Sequence, residues 1–435
     1  MSKASLVFFS LFAFALFAFT ALMCAAADGQ DNYKVIHSFS GFPNDGMTTI
    51  RPVVFDRAGN MYGTTPGGGS QTGCGDFGCG VAYELSPDGE GNWTETVLYN
   101  FCSNYNGLCL DGAYPNGLTI DAAGNLYGTT FSGGSGYAYL SGPGVAFELS
   151  PPKEKGGAWT ETVLYNFCSK FSNGSCLDGW LGEAGPLVLD KAGNLFGSAA
   201  LGGIGHVVGG EGIVFELSRS AEGWQETVLH NFCTQGSGGE CPDGYEPGGG
   251  VTFDKRGNLY GTTAYSGDIS KLEGGTLFIL SPDGGGRKYK LLANIPPGAQ
   301  AYLPFSPIAY DGVGNLYGTL LEVDGSVFRI DTKSHGLSFF KFDGSDGSKP
   351  GGVYIDEQED ALYGTTGGGG AYGWGTIYKI AAGRQSVLYS FCPQQSCQDG
   401  DTPGGALVPD AMGRLYGTTE FGGAYGLGVV FEFTP

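Results

Sequence analysis

Residues 124–130 read GNLYGTT, and the same seven letters return at 257–263. Close variants surround Tyr62, Phe196, Tyr317, Tyr363 and Tyr416, so the copies lie 46 to 69 residues apart. Self-similarity at such a period points to a repeat architecture, because each unit needs its neighbours to bury its apolar face. The reading of one copy therefore decides the fold.

Working outward from Tyr127, the chain reads WTETVLYNFC, then SNYNGLCLDGAYPN, then GLTIDAAGNLYGTT, then a glycine-rich loop, then GVAFELSP. TETVLYNF alternates polar and apolar residues, GLTID is short and β-branched, NLYGTT follows a turn, and VAFEL places Val145, Phe147 and Leu149 on one face. Period-two alternation between turn residues marks half-buried strands. The order recurs: a strand ending in aspartate closes at Asp56, Asp121, Asp190, Asp254, Asp311, Asp356 and Asp410. A Gly-x-x-aromatic strand recurs through Tyr83, Phe147, Phe215, Phe278, Phe328, Tyr378 and Phe431. The chain opens with a lone strand of the VLYNF type, YKVIHSF at 33–39, and ends with the three other types. We therefore expect an all-β fold, a seven-bladed β-propeller of four-stranded blades, closed by strand 33–39 pairing with the C-terminal blade. An open solenoid would leave the first strand unpaired and an edge exposed to aggregation.

Bulk composition agrees. Glycine is 81 of 435 residues, charged residues are 15% and aromatics 13%. A disordered chain would be charge-rich and aromatic-poor. The formal charge of −21 argues against nucleic acid and anionic membranes, which need basic surface. Residues 1–27 read as a secretory signal peptide, with Lys3, an apolar run to Met23 and the small-residue site Ala25-Ala26-Ala27. A membrane anchor is the rival reading, and the Ala-x-Ala site favours cleavage. Residues 28–435 are then one propeller domain, secreted or periplasmic, with no membrane insertion after cleavage, and expected to be a monomer.

The ten cysteines that remain fall into five close pairs: Cys74-Cys79, Cys102-Cys109, Cys168-Cys176, Cys233-Cys241 and Cys392-Cys397. In an exported chain these read as local disulfides. Zinc would need four converging ligands, and the pairs belong to separate repeats.

The run GNLYGTT, a glycine-rich stretch, then GVAFELSP (144–151) or GTLFILSPDG (275–284) resembles the GloVer-type tandem repeat of secreted bacterial proteins. These are the "choice-of-anchor" proteins, whose repeats sit beside varied surface-anchoring tails. The resemblance covers residues 33–435 and implies export and a propeller-like array; it brings no catalytic residues. The chain stops at Phe433-Thr434-Pro435 with no sorting tail, so free secretion is expected rather than attachment.

No catalytic residue emerges. The D-x-x-G-N turns read as mechanical, since an aspartate bonding turn amides explains them and alanines at 122 and 123 are poor positions for a calcium loop. The tyrosine of YGTT reads as core between blades. His37 and His230 share a strand position with Tyr99, Tyr165 and Tyr389 and read as packing residues; His335 lies in a turn and His206 in a glycine-rich loop. Glu84, Glu148, Glu216 and Glu432 align with Ile279, Arg329 and Lys379, a permissive position that reads as solvent-facing.

The richest constellation lies between blades. An Asp-Gly pair precedes the inner strand at Asp45, Asp111, Asp178, Asp243, Asp346 and Asp399. The fifth repeat lacks both this pair and cysteines, having IPPGAQAYLPFSP instead. These connections and the loops after YGTT share one face, which also carries Phe77, Tyr137, Tyr265, Tyr372, Trp374 and Tyr425. One reading is that each aspartate closes a turn and the disulfide pins the loop. The other is an acidic, aromatic-rimmed mouth for a glycan, or for Ca²⁺ by carboxylates alone; no other cofactor is expected. The function expected is a binding or interaction module for carbohydrate, another surface polymer or a surface protein. The alternatives are a carboxylate-dependent polysaccharide lyase or hydrolase and a structural envelope protein.

Overall fold

Every copy of the GNLYGTT strand sits second in a four-stranded antiparallel sheet, and seven such sheets form the ring of a β-propeller. The computed structural model describes residues 32–435 apart from 71–72, 137–141, 155, 182–184, 206–209, 235–239, 269–273, 296–306 and 322–323. The signal segment, Tyr137, His206 and most of the divergent loop before blade 5 lie outside the described residues.

Blade 2 shows the plan: an inner strand Ala113–Ile120, a second strand Leu126–Ser132, a third strand Val145–Ser150 and an outer strand Thr160–Asn166. Blades 1 and 3 to 7 repeat it around second strands Met61–Thr65, Leu195–Ala199, Leu259–Thr263, Asn315–Leu320, Ala361–Gly368 and Leu415–Phe421. Inner strands converge on the axis closely enough that Gly351 lies against the backbone of Gly405, and Gly404 against Ile50. Blade 7 takes its outer strand from the other end of the chain. Tyr33–Ser38 pairs antiparallel with Val429–Phe433, Tyr33 opposite Phe433 and Ser38 opposite Val429. The closure expected from sequence is therefore the one observed.

The glycine of YGTT has a packing reason. In the second blade Gly128 stands opposite Phe147, and a Cβ on it would lie 2.6 Å from that ring. The equivalent glycine faces the third-strand aromatic in all seven blades, always with a would-be contact under 3.0 Å. The missing side chain is the socket for the ring.

The threonines that follow are stitches. The first reaches the next blade: Thr64 Oγ1 donates to the Asn116 carbonyl at 2.7 Å, and Thr418 Oγ1 to that of Arg51 at 3.2 Å. The second stays at home: Thr130 Oγ1 accepts from Val145 N at 3.1 Å and donates to the Ser132 carbonyl at 2.8 Å.

The core lies between blades, not within them. Seven apolar clusters each join two neighbouring blades, including Phe39, Tyr83, Tyr416 and Val430 across the seam where blade 7 meets blade 1. The YGTT tyrosines belong to these walls, with Tyr62 5.9 Å from Trp159 and Tyr127 6.4 Å from Trp224 in the following blade. Their hydroxyls also cap their own turns, as Tyr127 Oη donates to Asp121 at 3.1 Å. Asp121 in turn accepts from the amides of Ala123 and Asn125, so the mechanical reading of this turn is the geometry found.

A second inter-blade device was not anticipated. Thr48, Tyr114, Glu246, Lys349 and Thr402, each two residues past an Asp-Gly glycine, adopt φ of +52° to +59°. Such a conformation is costly for side-chain-bearing residues. Each amide is thereby aimed at a carbonyl of the preceding blade, as in Tyr114 N to Cys79 O at 2.8 Å and Thr402 N to Trp374 O at 3.0 Å.

Candidate functional site

Two loop families share one face of the ring. One follows each second strand; the other runs from each outer strand to the next inner strand. The six Asp-Gly aspartates stand in the second family, and the structure turns their carboxylates inward. Asp45, Asp111, Asp178 and Asp243 are buried, while Asp346 and Asp399 are half-buried. Asp111 Oδ2 accepts from Tyr99 Oη at 2.6 Å and Ser103 N at 2.7 Å, and its Oδ1 from Asn104 N at 3.1 Å. Asp178 accepts from Tyr165 Oη at 2.8 Å and from the amide and hydroxyl of Ser169. Asp243 meets His230 Nε2 at 3.0 Å and accepts from Cys233 N. Asp399 accepts from Tyr389 Oη at 2.8 Å and Cys392 N. Asp346 accepts from Asp343 N and Gln385 Nε2. The structure thus places these groups apart from one another, each closing its own loop. It also gives the Tyr/His position of the outer strand a polar task, because a ring that only packed would not need its hydroxyl or imidazole nitrogen on the carboxylate.

All five disulfides are formed with the pairing expected. Four pin the Asp-Gly loops; Cys74–Cys79 pins the loop after the second strand of blade 1. The pairs are less separate than the repeat count suggests. The sulfurs of Cys74, Cys79, Cys102 and Cys109 lie within 4.8 Å of one another, because the two loop families run side by side on this face.

The next blade's outer strand covers each aspartate. Glu95, Glu161 and Glu226 reach the loops of Asp45, Asp111 and Asp178, and Tyr289 Oη donates to the Asp243 carbonyl at 2.9 Å. Burial, then the Asp111 charge, pushes the Glu161 carboxyl up to about 8, so it stays protonated near neutral pH. Burial also raises Glu226, opposed by the Lys170 ammonium 2.9 Å away. A carboxyl raised by folding binds its proton more tightly in the folded state, so its contribution to stability falls as pH rises from about 4.5 to about 8. Glu161→Gln is expected to flatten that slope: melting temperature should fall less between pH 5 and pH 8 than in the parent protein. Identical slopes for the two proteins would remove Glu161 from this account.

The glutamates read as solvent-facing are instead mostly covered. The Glu148 and Glu432 side chains keep 14% and 17% exposure. Arg219 meets Glu148 at 3.3 Å, and Tyr416 Oη donates to Glu432 at 2.8 Å. The position tolerates Arg and Lys because it lies at the rim of the inter-blade wall, where a long side chain reaches water.

Exposed large aromatics gather on this face. Among the described residues nine large aromatics are exposed, and all nine lie in the two loop families of this face or at their strand ends. Phe77, Tyr372, Trp374 and Tyr425 were expected there; Tyr265 is half-buried, stacked 5.1 Å from Tyr245. Sequence reading missed Phe42, Tyr105, Phe131, Phe171 and Phe421; Tyr105 and Phe171 stand at the same place in consecutive loops, three residues past Cys102 and Cys168. Phe77, Tyr114 and Phe131 form a row with ring centroids 6.1 and 6.5 Å apart.

Near the axis the same face opens into a cavity of about 470 Å³ between blades 5, 6 and 7, lined by Trp374, Lys349, Glu420, Leu321, Ile50 and glycine backbone. Burial, then the Asp401 charge, raises the Glu420 carboxyl; burial, with the Asp399 charge, raises Asp401. Glu420 is peculiar to blade 7, since the corresponding residues elsewhere are Pro66, Phe131, Ala200, Ala264, Leu321 and Gly367. That departure from the repeat was the available signal.

Residues 25–244 and 320–435 match the Gloeobacter/Verrucomicrobia repeat. The chain belongs to that family. Between the two matched stretches the repeat persists in three dimensions, because Val251–Phe253, Leu259–Thr263, Gly275–Asp283 and Gly286–Ile295 still build blade 4. No curated protein matches the chain. Similar solved structures include a Lactobacillus plantarum protein, 11% identical over 78% of this chain and 84% of that one, TM-score 0.46. A periplasmic gluconolactonase of Pseudomonas aeruginosa is 14% identical over 78% and 84%, TM-score 0.45. A Trypanosoma rangeli sialidase is 10% identical over 92% and 57%, TM-score 0.40. At this distance the likenesses say nothing about what the repeat protein does.

Proposed function

We propose that this protein is an exported binding module whose loop face takes carbohydrate or a similar surface polymer. One observation carries the reading: among the described residues the exposed aromatics are confined to one face, which also opens into a cavity that combines Trp374, Lys349 and Glu420. Single exposed apolar residues need no explanation; an aromatic rim with a few convergent polar groups is how ligand sites are built. The five disulfides support an oxidising compartment, and the formal charge of −21 disfavours a polyanionic ligand.

The test is binding to a panel of immobilised polysaccharides, with Trp374→Ala as the variant. Its side chain is half exposed, so the melt should stay within a degree or so while affinity falls about tenfold, near the 1.4 kcal/mol that such a loss represents. Binding that ignores this substitution would take the cavity out of the reading, and silence on every polysaccharide would favour a structural role. A second reading rests on Glu420 and Asp401, whose raised carboxyls suit proton transfer beside the cavity. Sugar released by the parent protein and lost in Glu420→Gln would make the same site a carboxylate-dependent hydrolase or lyase.

A further inference from the structure

The seam where blade 7 meets blade 1 differs from the others in one respect. His37 on the closing strand, Asp45 in the following loop and Glu95 on the outer strand of blade 1 bring their ligand atoms within 4.8 Å of one another. His37 Nε2 stands 3.5 Å from Asp45 Oδ2 and 3.9 Å from Glu95 Oε2. These spacings are too long for hydrogen bonds. The first matches the roughly 3.3–3.6 Å between donors that stand about 2.0–2.2 Å from a shared four-coordinate ion, and the second exceeds it by a few tenths of an ångström. His37 Nε2 and Glu95 Oε1 are buried atoms with no hydrogen-bond partner, a costly state for polar groups. Asp45 Oδ2, the oxygen that faces His37, accepts from Ser40 N at 2.6 Å and Ser40 Oγ at 3.0 Å, and Oδ1 accepts from Gly46 N at 2.5 Å, which fixes the carboxylate in place.

The other seams serve as internal controls. Where the glutamate recurs, at Glu161 and Glu226, the imidazole is replaced by Tyr99 or Tyr165, whose hydroxyl bonds the aspartate directly. Glu226 is further neutralised by Lys170. Where the histidine recurs, His230 sits at 3.0 Å from Asp243, and Tyr289 stacks flat on it at 4.1 Å in the place of the glutamate. Only the closing seam, among the described residues, pairs an imidazole with two carboxylates and leaves the ring nitrogen unbonded; the unbonded glutamate oxygen recurs at Glu161 and Glu226.

From this arrangement we infer that His37, Asp45 and Glu95 form a site for a divalent transition-metal ion of the zinc type. One imidazole nitrogen with two carboxylates selects such an ion over Mg²⁺ or Ca²⁺, which favour all-oxygen sets. Three protein ligands leave a fourth position for water. The ion ties the closing strand, the entry loop and the first blade together, so it acts on ring closure rather than on the aromatic face.

The experiment uses the full secreted chain, freed of metal with a chelator and titrated with Zn²⁺ by calorimetry and by thermal melting. One equivalent should bind saturably, and the melting temperature should rise by several degrees. His37→Tyr installs the residue already present at this position in blades 1, 2 and 6, so it should fold. It and Glu95→Gln should each weaken Zn²⁺ binding at least tenfold and abolish the melting shift. His230→Tyr should leave both unchanged. The inference is overturned if no saturable equivalent binds, or if binding survives in both His37→Tyr and Glu95→Gln.

Discussion

Removing residues 33–39 is expected to abolish the cooperative melt and drive the protein into aggregates. That segment supplies the outer strand of blade 7 through its pairing with Val429–Phe433. It also carries Phe39, fully buried in the wall shared with blade 1, and Tyr33, stacked 4.2 Å from Tyr389. Its loss opens the ring twice over: an apolar interface faces water, and the unpaired edge of Val429–Phe433 can recruit another chain. A Phe→Ala change alone costs about 3–5 kcal/mol in a core, already a large part of the ~5–15 kcal/mol typical of a folded protein. The rescue is specific. Asn32 O accepts from Thr434 N at 2.8 Å, so re-attaching residues 32–39 behind Pro435 through a short turn should restore a single cooperative transition. Size-exclusion chromatography and a melt of the truncated and re-attached proteins decide it; a monomeric truncated protein with an unchanged melt would show that strand 33–39 is not the lock.

Gly128→Ala should lower stability by about 2–3 kcal/mol, the range for forcing extra volume into a packed site. The new methyl would press on Phe147 Cζ, with Leu118 closing the other side at 3.2 Å, and the ring is fully buried. Shortening the ring should relieve the clash, so Phe147→Leu combined with Gly128→Ala should be less destabilised than the sum of the two single changes. Gly286→Ala is the control, since a Cβ there meets nothing nearer than 3.8 Å, and it should stay within about 0.5 kcal/mol. Chemical denaturation of the four variants measures all of this. A purely additive pair would remove the socket explanation for the glycine.

Ring, blade number and closure were legible because they rest on spacing and alternation, which one chain displays directly. The socket was half legible: Gly128 and Phe147 recur in step, but only the register places one opposite the other. Candidate-site residues fared differently. Asp-Gly recurrence announced the loops at Asp111 and Asp178, yet a sequence does not show which way a carboxylate turns, and here the hydroxyls of Tyr99 and Tyr165 draw it inward. Glu95 and Glu161 looked like ordinary members of alternating strands. Their partners Asp45 and Asp111 are 50 residues upstream in each case, across a blade boundary no local pattern marks. Exposed aromatics such as Phe131 and Phe421 were hidden for the opposite reason: the repeat does not keep an aromatic at their positions, so periodicity does not mark them.

The lock has a direction. Tyr33 lies opposite Phe433, while Ser38 lies opposite Val429, so residues 32 and 434 meet at the same end of the paired strands. Tension drawn between those two points does not load the strands in shear, where every rung would resist together. It works as on a zip fastener, parting the Thr434–Asn32 bond first and each rung after it in turn. A ring held by seven apolar walls against heat is thus mechanically soft along one line, and a modest pull there should part the closing strand before any other.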